Sequence, residues 1–423
     1  MSRNRVIQTA LAVVFLIYML QAFSPLRLVG DGMDYLLQAS SAADGSGFYV
    51  HGQKSMRPSG YPLLIVGLIK MGMGKPWAIV ALNCFFLALG CLATYLISRK
   101  AFELKKEGAS LVCLLTMLSF VIVRQAAQPL SDICFFGLSA ICLLLIIQAE
   151  EHKENKWWVL GLAGVLLAFC IEVRTIGIAL VPPFLWVLFG GTPTFSRIPD
   201  WTRKHRVACF GILLVAGSVM ILAGRQALHS RYLQFNEPIF VNRGFARSLW
   251  ANLTDHSKEW GEIILNLPVS KLPRGMAIPV QLLGLLALLI FSVVLWQQRK
   301  KFTVVLCYIS AFSAIVLAYP WFDTRLWLPV LPFIFIYLFM ALKGTVNATA
   351  FRTVIMTWCL VYALCGLAGL AYSTRLTFLS PESFAKTYGD GNLRAAYRVV
   401  YQGTAPNEKN ANADAIYLLR RYR

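Results

Sequence analysis

At 423 residues, 57% hydrophobic and only 14% charged, the chain falls far below the roughly 25% charged residues of an ordinary soluble domain, which excludes a soluble globular fold. Its formal charge of +20 would suggest nucleic acid in a soluble protein. Here Lys and Arg collect in short loops between apolar runs, where membrane orientation places them, so membrane lipids are the expected surroundings and no nucleic-acid partner is expected.

The first apolar run, residues 6–23, follows Arg3 and Arg5 and has no small-residue cleavage site. It reads as an uncleaved first helix with a cytoplasmic N-terminus. A polar loop follows at 24–60, and 61–71 is apolar but too short to span, as in an interfacial or re-entrant helix. Residues 77–97 form the first return crossing, closed by Arg99 and Lys100 with Lys105 and Lys106 behind. Residues 111–123 run outward to Arg124. A short outer turn, Gln128 to Asp132, leads into 133–147, and 157–171 runs outward to Glu172-Val173-Arg174.

Residues 175–189 return to a basic loop at 190–206, and 207–223 exit into an outer segment, 224–278, expected to fold with short helices. Residues 279–296 return to Arg299, Lys300 and Lys301, and 302–318 exit to a turn at 319–325. Residues 326–342 return and 354–371 exit. The expectation is an all-α polytopic membrane protein of about 11 transmembrane helices. It has one membrane domain over residues 1–371, with outer loops at 24–76 and 224–278, and an extracytoplasmic tail or small cap at 372–423.

In this topology the polar features gather on one side. Asp31, Asp34, His51, Arg57, Asp132, Glu172, Arg174, Asp323 and Arg325 all fall at or beyond outer helix ends, and Lys70 is the main ionisable residue inside an apolar stretch. Transporters and pumps place such groups near the midplane instead. A lone interfacial arginine can simply snorkel, but a carboxylate gains nothing from anionic lipid. The ten cysteines lie in apolar runs without metal-finger spacing and read as small buried hydrophobes. His51 and His256 have no partners that make a nucleophilic or zinc site and read as surface histidines.

Five motifs occur in order: Asp31-x-x-x-Tyr35; Arg57-Pro58-Ser59-Gly60-Tyr61-Pro62; Pro129-Leu130-Ser131-Asp132; Val173-Arg174-Thr175-Ile176-Gly177; and Asp323-Thr324-Arg325-Leu326-Trp327 running on to Pro332. Together they resemble the GT-C fold glycosyltransferases. The nearest in pattern is the polyprenyl-phosphate-dependent branch, which includes bacterial aminoarabinose transferases and protein O-mannosyltransferases. The resemblance runs through the first 340 residues or so. It implies an inverting transfer of a sugar from a polyprenyl-phosphate-linked donor to a hydroxyl on a lipid, glycan or protein, at the outer face of the bacterial inner membrane.

In that frame Asp31 is the general base, and Asp34 or Asp132 orients acceptor or sugar. Arg325, followed by Arg57 and Arg174, meets the leaving phosphate. Asp323 is a further substrate-binding candidate, and Tyr35, Tyr61 and Trp321 are candidates to stack on sugar rings. The family often carries Asp-Glu where this chain has Asp31-Gly32. Asp34 stands partly for that Glu, so the base lies between Asp31 and Asp34. Carboxylates bind hard divalent ions, but no cluster has metal-ligand spacing, so neither metal nor other cofactor is expected. A transporter or flippase of a lipid-linked sugar, or a non-catalytic binding subunit, is the competing reading.

Overall fold

The computed structural model describes residues 3–55, 57–151, 156–189, 242, 244–298, 304–345, 348–403 and 411–423. The crossing expected at 207–223, the basic loop at 190–206 and the first part of the outer segment lie outside them. The fold is almost wholly helical; a two-stranded antiparallel hairpin, Tyr49–Val50 with Gln53–Lys54, is the sheet among the described residues.

Among the described residues six helices are long and apolar enough to cross a membrane. Their bodies are α1 (Arg3–Leu20), α4 (Pro76–Lys100), α7 (Ser131–Glu151), α8 (Lys156–Val173), α11 (Ala277–Gln298) and α14 (Ala348–Thr377). α4 starts on Pro76, whose missing N–H costs nothing in a first turn, and ends on Arg99 and Lys100, which complement the helix dipole. α7 is apolar all round and 83% buried along its span, against 17% for α1 and α14. A helix of that kind belongs at the centre of a bundle, and α7 packs there along α4 and α8, with α1 and α14 at the periphery.

The remaining crossings are shorter or broken. The run at 111–123 is two helices, α5 (Lys106–Met117) and α6 (Phe120–Gln125). Backbone groups freed by such a break need partners inside a membrane. Asn266 supplies them, donating from Nδ2 to the Leu118 carbonyl at 2.9 Å and accepting from the Phe120 N–H at 2.6 Å. The sixth crossing opens as a 3-10 helix, Thr175–Leu180, before α9 (Val181–Leu188). α12 (Val304–Ala318) is followed by a second 3-10 helix, Thr324–Val330, and α13 (Leu331–Thr345). In the segment 224–278 the described residues form one helix of 21 residues, α10 (Phe245–Leu265), packed along α11, and two short 3-10 helices, Val269–Lys271 and Arg274–Met276.

The loop at 24–60 carries α2 (Gly30–Ala43) and the hairpin, and α3 (Gly60–Lys70) follows. The chain's end adds α15 (Pro381–Thr387), α16 (Gly391–Gln402) and α17 (Ala413–Arg421), which pack on the entry to α2 and along it. Tyr397 donates its hydroxyl to the Leu26 carbonyl at 2.6 Å and accepts from the Leu28 N–H at 2.8 Å. Buried Arg27 between them is held by Ser24, Ser373 and Thr377. Arg421 forks onto Asp44 at 2.7 and 2.8 Å at the far end of α2.

Candidate active site

Asp31 and Asp34 lie three residues apart in the first turns of α2, on one face. Two close approaches set that helix in place. A Cβ at Gly32 would stand 2.8 Å from the Pro129 ring and 3.1 Å from its carbonyl oxygen. Position 32 therefore has no room for a side chain. A Cβ at Gly60 would stand 2.6 Å from the Glu172 carbonyl, so glycine lets α3 begin directly against residues 172–173. That contact brings the loop of Arg57 beside Arg174.

Arg57 donates from Nε to Asp34 and from Nη2 to Asp31, each at 2.7 Å. From the other end of the chain, Arg325 donates from Nη2 to the second Asp31 oxygen at 2.5 Å. Arg325 Nε stands 2.9 Å from Asp323 Oδ2, in ion-pair range but outside hydrogen-bond geometry, and its Nη1 lies 4.0 Å from Asp132. Asp132, at the start of α7, is buried and paired with Arg174. Asp323 caps the 3-10 helix by accepting from the Arg325 N–H. Thus Asp31, Asp34, Arg57, Asp132, Arg174, Asp323 and Arg325, spread over almost 300 residues, converge on one half-buried cluster of four carboxylates and three guanidiniums.

Burial alone would raise the Asp31 pKa. The charges of Arg325 and Arg57, with the hydrogen bond from Arg325, outweigh it and hold the carboxyl below the usual carboxylate range. The group is an ionised acceptor with both oxygens committed to guanidinium forks. Such forks match a phosphate as well as a carboxylate. Trp321, 43% exposed, lies two residues before Asp323 in the 319–325 turn.

Three expectations are corrected. Tyr35 and Tyr61 do not present ring faces to a ligand, because both are buried and pack edge to face at 5.5 Å. Their hydroxyls work inside the bundle: Tyr35 meets Ser131 at 3.0 Å, and Tyr61 donates to Asn83, which holds the carbonyls of Ala126 and Gln128. They fix α2 and α3 against the turn before α7. His256 is not a surface residue; it is fully buried on α10 and paired with Glu259 at 2.7 Å. His51 is exposed and faces Asp414 at 3.0 Å.

Glu259 and Glu262 were missed by sequence reasoning. A signal existed, since Asn252, His256, Glu259 and Asn266 recur at helical spacing, and all four are buried. Among the described residues no three His, Cys, Asp or Glu side chains are grouped to hold a metal ion. The site's carboxylates each face a guanidinium, and no step below runs through a metal.

A sequence profile of the dolichyl-phosphate-mannose-protein mannosyltransferases matches residues 56–223. No curated protein sequence matches the chain. Among solved structures, ArnT from Cupriavidus metallidurans bound to undecaprenyl phosphate superposes with a TM-score of 0.55 at 15% identity, over 99% of this chain and 85% of that one. The same protein in its apo state gives 0.56 at 15% identity, over 97% and 84%. These are GT-C glycosyltransferases. The chain has the GT-C fold. The archaeal oligosaccharyltransferase AglB from Archaeoglobus fulgidus, in complex with an inhibitory peptide and a dolichol-phosphate, matches at 0.50 and 13% identity, over 99% of this chain and 59% of that chain. At these identities the likeness carries the GT-C architecture; chemistry has to be argued from the site.

Proposed function

We propose that the protein is a membrane glycosyltransferase that moves a sugar from a polyprenyl-phosphate-linked donor to an acceptor hydroxyl, with inversion, at the extracytoplasmic face. The observation that carries the reading is Asp31 held between the forks of Arg57 and Arg325. One carboxylate and two phosphate-matching cations thus share a half-buried site beside a lipid-embedded bundle. The profile match and the fold support the donor class.

The donor's phosphate competes with the Asp31 carboxylate for the two forks. As Arg325 and Arg57 turn to the phosphate, the Asp31 oxygens are released toward the acceptor. The acceptor oxygen attacks the anomeric carbon from the face opposite the phosphate. The sugar–phosphate bond breaks with its electron pair on the phosphate oxygen, and the acceptor proton passes to Asp31. The products are the glycoside and polyprenyl phosphate, whose gathering charge meets the preorganised guanidiniums. Asp132, pinned by Arg174, and Asp323 hold Arg325 from the protein side. The exposed ring of Trp321 offers a sugar-stacking face.

A second assignment of the base has its own observation. Among the described residues Asp34 is tied to Arg57 alone, and it is 40% exposed at its side chain, against 24% for Asp31, so it meets an acceptor with less rearrangement. Purified protein incubated with radiolabelled polyprenyl-phospho-sugars tests both. Polyprenyl phosphate release lost in Asp31→Asn but retained in Asp34→Asn supports Asp31 as the base; the reverse pattern moves the role to Asp34. Saturable lipid binding without release by the wild type would instead favour a flippase or a binding subunit.

A further inference from the structure

Arg325 sits in the second residue of a 3-10 helix, Thr324–Val330, that contains Pro329. A 3-10 turn has weak hydrogen-bond geometry and is used in short pieces, and proline removes a donor from it. Such a segment does not hold a cation in register by itself. At three residues per turn, residues 324 and 327 share one face, and 325 lies a third of a turn away. In this protein the 324/327 face is anchored to α10 while Arg325 turns to Asp31.

Each anchor is a buried side chain on a glutamate. Thr324 Oγ1 donates to Glu262 Oε2 at 2.5 Å, and the other Glu262 oxygen accepts from the Val269 N–H at 2.7 Å, so that carboxylate is itself immobilised. Trp327 Nε1 donates to Glu259 Oε2 at 2.9 Å, and its ring packs edge to face on Trp260 at 5.3 Å. His256 completes the grip. Its Nδ1 meets Glu259 at 2.7 Å, and its Nε2 faces the Tyr319 carbonyl at 3.3 Å, upstream in the same turn. The segment is thus tied at 319, 324 and 327, on both sides of the cation.

The chemistry of these anchors is not what packing alone asks for. Glu259 is buried and, among the described residues, its Oε1 has no hydrogen-bond partner; replacing a buried ion pair by apolar side chains of similar size is often neutral or stabilising. Directional bonds to two named side chains fix an orientation that apolar contact would leave free. We propose that Glu262 and Glu259 of α10 are positioning residues for Arg325: through Thr324 and Trp327 they set the 3-10 helix so that its guanidinium meets the leaving phosphate. This rests on the phosphate role given to Arg325 above.

The test compares Thr324→Val, Trp327→Phe and Glu262→Gln with Thr324→Ser and Arg325→Gln, reading release of polyprenyl phosphate from a labelled polyprenyl-phospho-sugar and thermal unfolding in detergent. Thr324→Val and Trp327→Phe are expected to lower kcat about tenfold or more, since small misplacements of a reacting group carry such factors. The acceptor KM should hold within about twofold, and Thr324→Ser should recover wild-type turnover. Arg325→Gln inactive with Thr324→Val and Trp327→Phe at wild-type rates overturns this inference alone. Arg325→Gln active overturns the phosphate role and the inference with it. Losses that follow the unfolding temperature across the series, rather than the presence of the 324 hydroxyl and the 327 indole N–H, reduce the contacts to structure and also overturn the proposal.

Discussion

Arg57 joins Asp31 and Asp34, donating one hydrogen bond of 2.7 Å to each from two different nitrogens. A planar guanidinium can span two carboxylates in this way, and a lysine ammonium, a compact point charge, cannot hold the same fork. Arg57→Lys is therefore expected to behave as a loss of function despite keeping the charge. Turnover should fall about tenfold or more, in line with the effect of a misaligned reacting group, with the donor KM raised. Steady-state kinetics on the purified variant checks this, and wild-type kinetics would show that the bridge is dispensable.

Removing the cation opposite should act more strongly. Arg325→Gln takes away a preformed charge at the leaving phosphate, where one such donor is worth about a hundred- to a thousandfold in kcat. Single-turnover release of polyprenyl phosphate reads the chemical step directly. A change confined to donor KM would place Arg325 in ground-state binding.

The pH dependence follows from the same pairs. Asp31 has a folded-state pKa below its unfolded value of about 3.9. Its ion pairs therefore contribute stability that is fully present above that value and is lost as the pH falls through the lower folded value. The acid limb of kcat/KM, which reports the free enzyme, is expected below about pH 4. Arg325→Gln, which removes the largest charge lowering that pKa, should shift the limb upward. A limb that stays in place in the variant would detach Asp31 from proton transfer.

Gly32 gives a steric test independent of charge. The methyl of Gly32→Ala would stand 2.8 Å from Pro129 Cγ and 3.1 Å from its carbonyl oxygen, so α2 or the 128–131 turn has to move. Reduced thermal stability and reduced turnover are expected together. Gly30→Ala, with open space at its Cβ, is the control and should change neither.

Tyr397 tests whether the last helices support the site. Tyr397→Phe leaves the buried Leu28 N–H and Leu26 carbonyl without the hydroxyl they share. An unsatisfied buried group costs about 1–3 kcal/mol, so the variant should unfold several degrees earlier. The loss should be read by heating in detergent, where an unchanged transition would mean that the tail does not brace the entry to α2.

The amino-acid order alone determined the all-α membrane architecture, because bilayer-length apolar runs and basic loops are local properties of composition. It also placed Asp31, Arg57, Asp132, Arg174 and Arg325 together at helix ends, along with His51, which the fold instead sets against Asp414. The Asp31–Arg57 and Asp31–Arg325 pairs needed tertiary structure, because partners 26 and 294 residues apart meet only once α2, α3 and the 3-10 helix dock around α7. Tyr35 and Tyr61 had the right chemistry for sugar stacking, and packing alone turned them inward. His256 read as a surface histidine, and Glu259 and Glu262 carried no signal of their own. The burial of His256 and Glu259 was decided by α10 lying against the 3-10 segment.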